Sequence, residues 1–415
     1  MTAQHRGVYC GIDWAEGHHD IALVGQDGTL IAKRRIKDSS NGYAELLELL
    51  AEAGDSGEEP IPVAIETARG LLVAELRATG RPVYAINPLA VARYRERWTV
   101  ARSKSDHADA LVLANILRTD AHAHRPLPAD SDLVRSIAVL ARAHQDATWR
   151  RMKLAQELRS LLREYYPGFL DALAVHGSNS LTGADMCVLL ATAPTPGRGA
   201  KLTLARIAAA LRRGGRRRNV ELLAAKLQLA LRCPQMRQPP LVEEAMGKNT
   251  LALLSVLDAA CSGVDELGKA ATEAFRQHPD HEIITSFPGL ADISGARVLA
   301  EIGDDRARFS DARGLKAYAG SAPVTRASGR SVSITRRLVK NNRLAAVGYV
   351  WTFMAMTNSA PARAHYQRRR DTGDSHPAAL RHLFNRMLGQ LHHCLQTAEA
   401  YDQTKAFPAA EATAA

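Results

Sequence analysis

Four acidic residues have the types and spacing that a metal-dependent nuclease needs: Asp13, Glu66, Asp106 and Asp109. Asp13 and Glu66 each follow a short apolar run typical of a β-strand, and neighbouring strands bring such ends to the same sheet edge. Asp106 and Asp109 are three residues apart in a segment with helical periodicity, so both lie on one helix face. Carboxylate oxygens suit Mg²⁺ and phosphodiester cleavage. We therefore predict that these four catalytic residues bind Mg²⁺.

Each carboxylate also has a structural interpretation. An aspartate that follows a strand is often a turn residue, and Asp106 could be a helix N-cap. Asp20 and Glu16 are alternative carboxylates near Asp13, and we expect Glu16 to face solvent. The metal-binding interpretation rests on the order of all four residues within an alternating strand and helix pattern.

A second reactive segment lies at 315–337 and reads LKAYAGSAPVTRASGRSVSITRR. Ser328 precedes Gly329 and lies between Arg326 and Arg330, whose guanidinium groups can bind phosphate oxygens. A serine in this setting could attack a phosphodiester. Composition alone favours a contact with the nucleic-acid backbone. The alternative nucleophiles are Ser321, Ser331 and Ser333. The residues predicted to bind nucleic-acid phosphates are Lys316, Arg326, Arg330, Arg336 and Arg337.

The N-terminal part, 1–125, alternates strands and helices. Strands are predicted at 7–13, 19–25, 29–36, 61–65 and 82–86, and helices at 41–53, 71–78 and 106–117. Three strands, a helix and then alternating strands and helices is the order of an RNase H-like (RuvC-like) mixed sheet. We expect an α/β domain that brings the four carboxylates to one edge.

The remaining chain is predicted to be mainly helical. Residues 126–280 contain long amphipathic helices at 132–166 and 249–278, which predict an antiparallel coiled-coil arm. An insertion between them carries a basic run that we expect to attract nucleic acid: Arg212, Arg213, Arg216, Arg217 and Arg218.

The C-terminal domain is predicted at 281–400, followed by a disordered tail at 401–415. Within it, 282–303 resembles a helix-hairpin-helix, in which Gly289 of the Pro288-Gly289 turn lets backbone amides approach a phosphate. The alternative is an ordinary helical hairpin with a Pro-Gly loop.

The composition favours a polyanionic partner, since the formal net charge is +11 and the pI is about 9.6. No apolar run reaches the ~18 residues that would span a bilayer, and the N-terminus has no signal-peptide pattern. The five cysteines are scattered and form no CxxC pair. We expect a cytoplasmic protein with a basic surface, associated with nucleic acid and not with a membrane.

Several motifs together resemble the insertion sequence 110 family of transposases, which are RNA-guided serine recombinases. The matching motifs, in chain order, are GIDWAEGHHDIALV, VAIETARG, YAINP, KSDHADALVLA, SFPGL and AYAGSAPVTRASGRS. The resemblance implies a RuvC-like domain whose DEDD carboxylates are Asp13, Glu66, Asp106 and Asp109, and a C-terminal domain whose Ser328 becomes linked to DNA. It also implies a homodimer or homotetramer with composite sites, and a structured noncoding RNA that pairs with donor and target DNA.

Three functions are therefore compared. The first is a Mg²⁺-dependent, RNA-guided DNA transposase that uses a phosphoserine intermediate. The second is a RuvC-like nuclease or junction resolvase, in which metal-activated water leaves free 5′-phosphates and no protein–DNA adduct. The third is a non-catalytic DNA-binding repressor. The presence of all four carboxylates argues against this third function.

Overall fold

The computed structural model describes residues 7–97, 106–177 and 180–407. The chain divides into two compact units, Met1–Ala129 and Asp130–Ala415. This division lies four residues beyond the predicted end of the first domain, and the predicted arm and C-terminal domain belong to one unit.

A five-stranded mixed sheet forms the centre of the first unit. Its strands are β1 (Val8–Trp14), β2 (His18–Gly25), β3 (Leu30–Lys37), β4 (Val63–Ile65) and β5 (Val83–Ala85). They are arranged in the order β3-β2-β1-β4-β5. β1 pairs antiparallel with β2 and parallel with β4, so β1 is the strand at which the direction of pairing changes.

Helices pack against both faces of this sheet. Helices α1 (Ser40–Glu52) and α2 (Leu71–Ala78) cover Cys10, Ile12 and Ile65 on one face. Helices α3 (Pro88–Arg95) and α4 (Asp106–Asp120) form a second core with Ala64. The successive β4 residues Ala64 and Ile65 therefore enter different cores, as the two-residue period of a strand requires. A short 3₁₀-helix, Ala121–Ala123, follows α4.

Two long helices run through the second unit, α5 (Asp132–Tyr165) and α11 (Pro240–Arg276). They are antiparallel, because His144 lies beside Gly268 while Tyr165 bonds to Thr250. The insertion between them folds into α6 (Pro167–Val175), α7 (Ala184–Thr192), α8 (Pro196–Ala200), α9 (Leu204–Arg213) and α10 (Val220–Arg232). Four of these helices, α6, α7, α9 and α10, share a hydrophobic core with one end of the long pair.

The other end of the long pair packs against the C-terminal helices. These are α12 (His281–Thr285), α13 (Asp292–Ile302), α14 (Ala312–Tyr318), α15 (Asn342–Asn358), α16 (Ala360–Asp371), α17 (His376–Thr397) and α18 (Gln403–Ala406). Between α14 and α15 the chain forms an antiparallel hairpin of β6 (Val324–Ser328) and β7 (Ser331–Thr335).

Several elements differ from the sequence-based predictions. The β6–β7 hairpin and α3 were not predicted, and α11 begins at Pro240, nine residues before the predicted start. Pro240 is the first residue of α11, a position that tolerates proline because its N–H would have no helical partner.

The tail prediction is wrong for its first part. Residues 401–407 include α18, and the Ala406 carbonyl accepts 2.7 Å hydrogen bonds from Arg386 and Gln390. The Phe407 ring lies against the Arg386 guanidinium. These contacts attach the segment to α17, whereas residues 408–415 lie outside the described residues.

Within the three described ranges, no helix has the length and apolarity needed to cross a bilayer.

Candidate functional site

Asp13 and Glu66 occupy matching positions on two neighbouring parallel strands. The last paired residues of β1 and β4 are Ile12 and Ile65, and each carboxylate follows its isoleucine by one residue. Adjacent strands are about 4.8 Å apart, so the two residues lie side by side at one sheet edge. Both are half-buried. The predicted convergence of these two residues therefore follows from the strand register.

Helix α4 brings Asp109 close to the same strand. A side chain at Gly11 would place its Cβ 2.0 Å from the Ala110 carbonyl oxygen, so this glycine lets α4 lie directly on β1. Asp109 precedes Ala110 and is 5% exposed. Its carboxylate forms an ion pair with Arg95 of α3. Asp106 begins α4, one turn before Asp109, and its side chain lies outside the described residues.

Because of this contact, we expect substitution of Gly11 to destabilise the protein. We expect Gly11→Ala to lower the free energy of unfolding by about 1–3 kcal/mol, because backbone atoms of α4 must move to admit the methyl group. Gly17→Ala is the matched control, since a Cβ at Gly17 meets no atom within 4 Å. Thermal melting of both variants measures the effect, and equal melting temperatures would contradict the proposed role of Gly11.

Asp20 is a fifth carboxylate in this region. It pairs with Asp13 across β1 and β2, but it is 1% exposed and accepts hydrogen bonds from Arg35 at 3.0 and 2.7 Å. A buried carboxylate needs such a partner, and this bidentate pair gives Asp20 a structural role. Glu16 is exposed, as the sequence predicted.

The donors at this edge are carboxylate oxygens, which fit a hard divalent cation. Within the described part of the chain, no three His, Cys, Asp or Glu side chains form a group that could hold a metal ion. The Asp106 side chain is outside that part, so the four-carboxylate metal site remains a prediction.

Ser328 is the last residue of β6 and is exposed at the turn of the hairpin. Gly329 and Arg330 form the two-residue loop, in which Gly329 has φ +55°, a conformation that glycine adopts at little cost. Ser328 pairs with Ser331, and Arg326 pairs with Ser333. Because alternate residues share a face, Ser328, Arg326 and their partners form one hydroxyl and guanidinium face.

The other predicted residues of this segment have different environments. Ser321 is 3% exposed and its hydroxyl bonds to the Lys316 carbonyl and the Asn385 amide, so its position is unsuitable for attack on DNA. Lys316 is half-buried and its ammonium group lies beside Gly389 of α17. Arg336 and Arg337 line a surface cleft with Arg326. The cleft residues are thus better placed for phosphate contact than Lys316.

The basic run of the insertion is partly engaged in internal ion pairs. Arg216 donates to Asp185 at 3.0 Å and contacts His176 at 2.8 Å, and Arg212 pairs with Glu221. Arg213 bonds to the Thr192 hydroxyl. Arg217 and Arg218 are exposed and remain the better candidates for nucleic-acid contact.

The Asp185 ion pair predicts a pH-dependent stability. Burial raises the pKa of Asp185, but hydrogen bonds from His176 and Arg216 outweigh burial and lower it below its usual value. A lowered folded-state pKa contributes stability above the unfolded value, near 3.9, that is lost as the pH falls through the folded value. We expect Asp185→Asn to cost about 2 kcal/mol at pH 7 and less towards pH 3. Urea unfolding at several pH values measures the free energy of unfolding of the wild type and the variant, and Asp171→Asn at an exposed position is the control. A loss of stability in Asp185→Asn that does not change with pH would contradict this role of the ion pair.

Gly289 lies in the predicted turn between α12 and α13, with φ +84°. A Cβ there would be 2.5 Å from the Ala355 nitrogen of α15, and the Trp351 indole donates to the Pro288 carbonyl at 3.1 Å. The turn therefore packs against α15, which favours the ordinary helical hairpin. Contact of Gly289 with DNA remains only a prediction.

Comparison with known protein families gives two matches. A family model named DEDD_Tnp_IS110 and described as a transposase matches residues 10–167, which include the four carboxylates. A model described as "Transposase IS116/IS110/IS902 family" matches residues 281–367, which include Ser328.

Individual relatives match along nearly the whole chain. The chain is 60% identical over 400 residues to the "Mini-circle putative transposase for IS117" of Streptomyces coelicolor, covering 96% of each protein. It is 30% identical over 396 residues to the "Insertion element IS116 uncharacterized 44.8 kDa protein" of Streptomyces clavuligerus, covering 94% of this chain and 95% of that protein. The chain therefore belongs to the IS110 family of transposases.

Proposed function

We propose that this transposase cleaves DNA through a covalent phosphoserine on Ser328. The observation that carries the proposal is the exposed position of Ser328 at the hairpin turn, with Arg326 on the same face. A serine nucleophile must be accessible and needs cations beside the phosphorane that forms. Ser328 meets both conditions, whereas Ser321 is buried.

In the proposed step, the Ser328 Oγ forms a bond to phosphorus and the bond to the 3′ oxygen breaks. The serine proton is lost to solvent, and the departing oxygen takes up a proton to become a 3′-hydroxyl. The 5′ end remains attached as a phosphoserine, which conserves the ester for rejoining. Arg326 and Arg330 stabilise the negative charge on the phosphoryl oxygens.

The carboxylates are proposed to hold the divalent ion required for this chemistry. Asp13, Glu66, Asp106 and Asp109 would bind Mg²⁺, which when bound lowers the pKa of a coordinated hydroxyl and stabilises anionic oxygens. The strand order β3-β2-β1-β4-β5 with helices on both faces supports an RNase H-like domain. The antiparallel pair α5 and α11 supports the predicted coiled-coil arm.

We further propose that a structured RNA from the element guides the reaction and that the active form is a homodimer or homotetramer. The net charge of +11 supports binding to nucleic acid of either kind. Incubation with element DNA, with and without RNA transcribed from its flank, tests the guide. Cleavage that survives removal of the RNA would contradict this part of the proposal.

The experiment that separates serine from water as the nucleophile examines the ends of the cleaved strand. A denaturing gel run before and after proteinase digestion should show a strand that migrates into the gel only after digestion. Free 5′-phosphates without an adduct would instead favour the nuclease or junction resolvase, and no cleavage at all would favour the repressor.

A further inference from the structure

A buried carboxylate contacts a residue that follows the hairpin carrying Ser328. Glu301 of α13 is 3% exposed and accepts hydrogen bonds from three donors. Arg142 of α5 donates from Nε at 2.8 Å and from Nη2 at 3.2 Å, and Asn341 donates from Nδ2 at 2.6 Å. These bonds provide the compensation that burial of a charge requires. The hydrogen bonds between Arg142 and Glu301 also raise the pKa of Arg142 above its usual value.

The same contacts join the two ends of the hairpin segment. Tyr318 precedes the hairpin and Asn341 follows it. The Asn341 backbone amide donates to the Tyr318 carbonyl at 2.8 Å, and its side chain donates to the Tyr318 hydroxyl at 2.7 Å. Arg308 also donates to that hydroxyl, at 3.1 Å. The residues between 318 and 341 therefore form a loop that is closed at its base.

The exit from the hairpin is attached to the long helix α5 as well. Arg343 donates to both carboxylate oxygens of Asp146 at 2.9 Å and to Gln145 at 3.1 Å. Its guanidinium also lies over the Trp149 ring. One guanidinium nitrogen donates to both carboxylate oxygens of Asp146, and this charge-assisted contact, together with the Gln145 bond and the ring contact, attaches the start of α15 to α5.

The hairpin itself has little other support. Every residue of β6 and β7 is exposed except Val324, which is half-buried. Val332 and Ile334 are 64% and 69% exposed. A two-stranded hairpin that packs on nothing is marginally stable. The contacts at its base therefore determine the orientation of Ser328.

We propose that Glu301, together with Arg142 and Asn341, positions the hairpin so that Ser328 reaches the scissile phosphate in a productive orientation. This inference rests on the proposed role of Ser328 as the nucleophile. The three residues are positioning residues, because they act on the reaction through the hairpin. Small displacements of a nucleophile are costly, since reaction requires near-attack geometry.

Asn341→Ser is the decisive variant. Asn341 also caps α15 by accepting from the Leu344 amide at 2.9 Å, and serine is an equally good N-cap residue. The substitution therefore keeps the cap while removing the two hydrogen bonds that the Asn341 side-chain nitrogen donates to Glu301 and to the Tyr318 hydroxyl. Asn358→Ser, at an exposed position at the other end of the same helix, is the matched control.

Three measurements are compared with the wild-type protein: the rate of protein–DNA adduct formation, the affinity for element DNA and hydrogen exchange of the hairpin amides at 324–335. For Asn341→Ser we expect adduct formation to slow by about 10–100-fold, DNA affinity to change less than about threefold and hairpin exchange to accelerate. Asn358→Ser should match the wild type. If Asn341→Ser does not fold, Tyr318→Phe removes only the hydroxyl and should give the same pattern.

Adduct formation at the wild-type rate in Asn341→Ser, or slowing only in proportion to lost DNA affinity, would overturn the inference. The proposed function fails separately, if the wild-type protein forms no adduct on Ser328. In that case hydrogen exchange still tests the anchor: faster exchange in Asn341→Ser supports it, and unchanged exchange overturns it.

Discussion

Ser328→Ala is expected to abolish covalent strand cleavage, with a loss of at least about 10³-fold, while element DNA still binds. Removal of an attacking hydroxyl eliminates the covalent route entirely, and losses of this size are typical when a nucleophile is deleted. Binding should change less than about twofold, because most of the affinity for DNA comes from phosphate contacts with basic residues. Quantification of adduct and of bound DNA in the same samples measures both effects.

Neighbouring serines provide matched controls for this variant. Ser331 and Ser333 are exposed on the same hairpin face as Ser328, so Ser331→Ala and Ser333→Ala remove the same group within a few residues. Both variants should still form the adduct. If Ser328→Ala cleaves at the wild-type rate, or if Ser331→Ala loses the adduct instead, the nucleophile has been wrongly assigned.

Asp13→Asn and Glu66→Gln are expected to reduce cleavage by at least about 100-fold, a typical loss when one preorganised electrostatic contact at a reacting centre is removed. Each substitution keeps the size of the side chain and removes its negative charge. Because the two residues are adjacent at the sheet edge, either change should also weaken binding of Mg²⁺ or Mn²⁺. Calorimetric titration of the metal provides a measurement that is independent of cleavage.

Glu16→Gln is the control for the carboxylates, since Glu16 is exposed three residues after Asp13. It should retain both metal binding and cleavage. Ser328→Ala should bind metal as the wild type does, which separates the two parts of the proposed mechanism. Metal affinity that is unchanged in Asp13→Asn and Glu66→Gln would contradict the assignment of these residues as ligands.

The N-terminal fold was largely predictable from the sequence because β1, β2 and β4 contain apolar runs and polar turns separate the elements. The predicted strands at 7–13 and 61–65 differ from β1 and β4 by at most two residues at either end. Asp13 and Glu66 could be placed together because a strand ending in a carboxylate is a local pattern. Their side-by-side arrangement then needs only the parallel pairing of β1 with β4.

Features that depend on distant partners could not be predicted in this way. The β6–β7 hairpin contributes little to a core. β7 alternates polar residues with Val332 and Ile334, but the run is only five residues long and both apolar side chains are exposed, while β6 has no clear alternation. Glu301 is an ordinary helical glutamate in the sequence, and its importance arises from Arg142, which is 159 residues away. Likewise, Arg216 looks like part of a solvated basic run until its pairing with Asp185 is seen.

The most direct test of the central claim is to locate the DNA attachment by mass spectrometry after tryptic digestion of the adduct. Trypsin cleaves after Arg326 and Arg330, so Ser328 is released in the peptide ASGR, separate from Ser321 and from Ser331 and Ser333. We predict a nucleotide-modified ASGR peptide that is absent from Ser328→Ala and Asp13→Ala. Cleaved DNA without any modified peptide would contradict the phosphoserine intermediate and indicate water as the nucleophile.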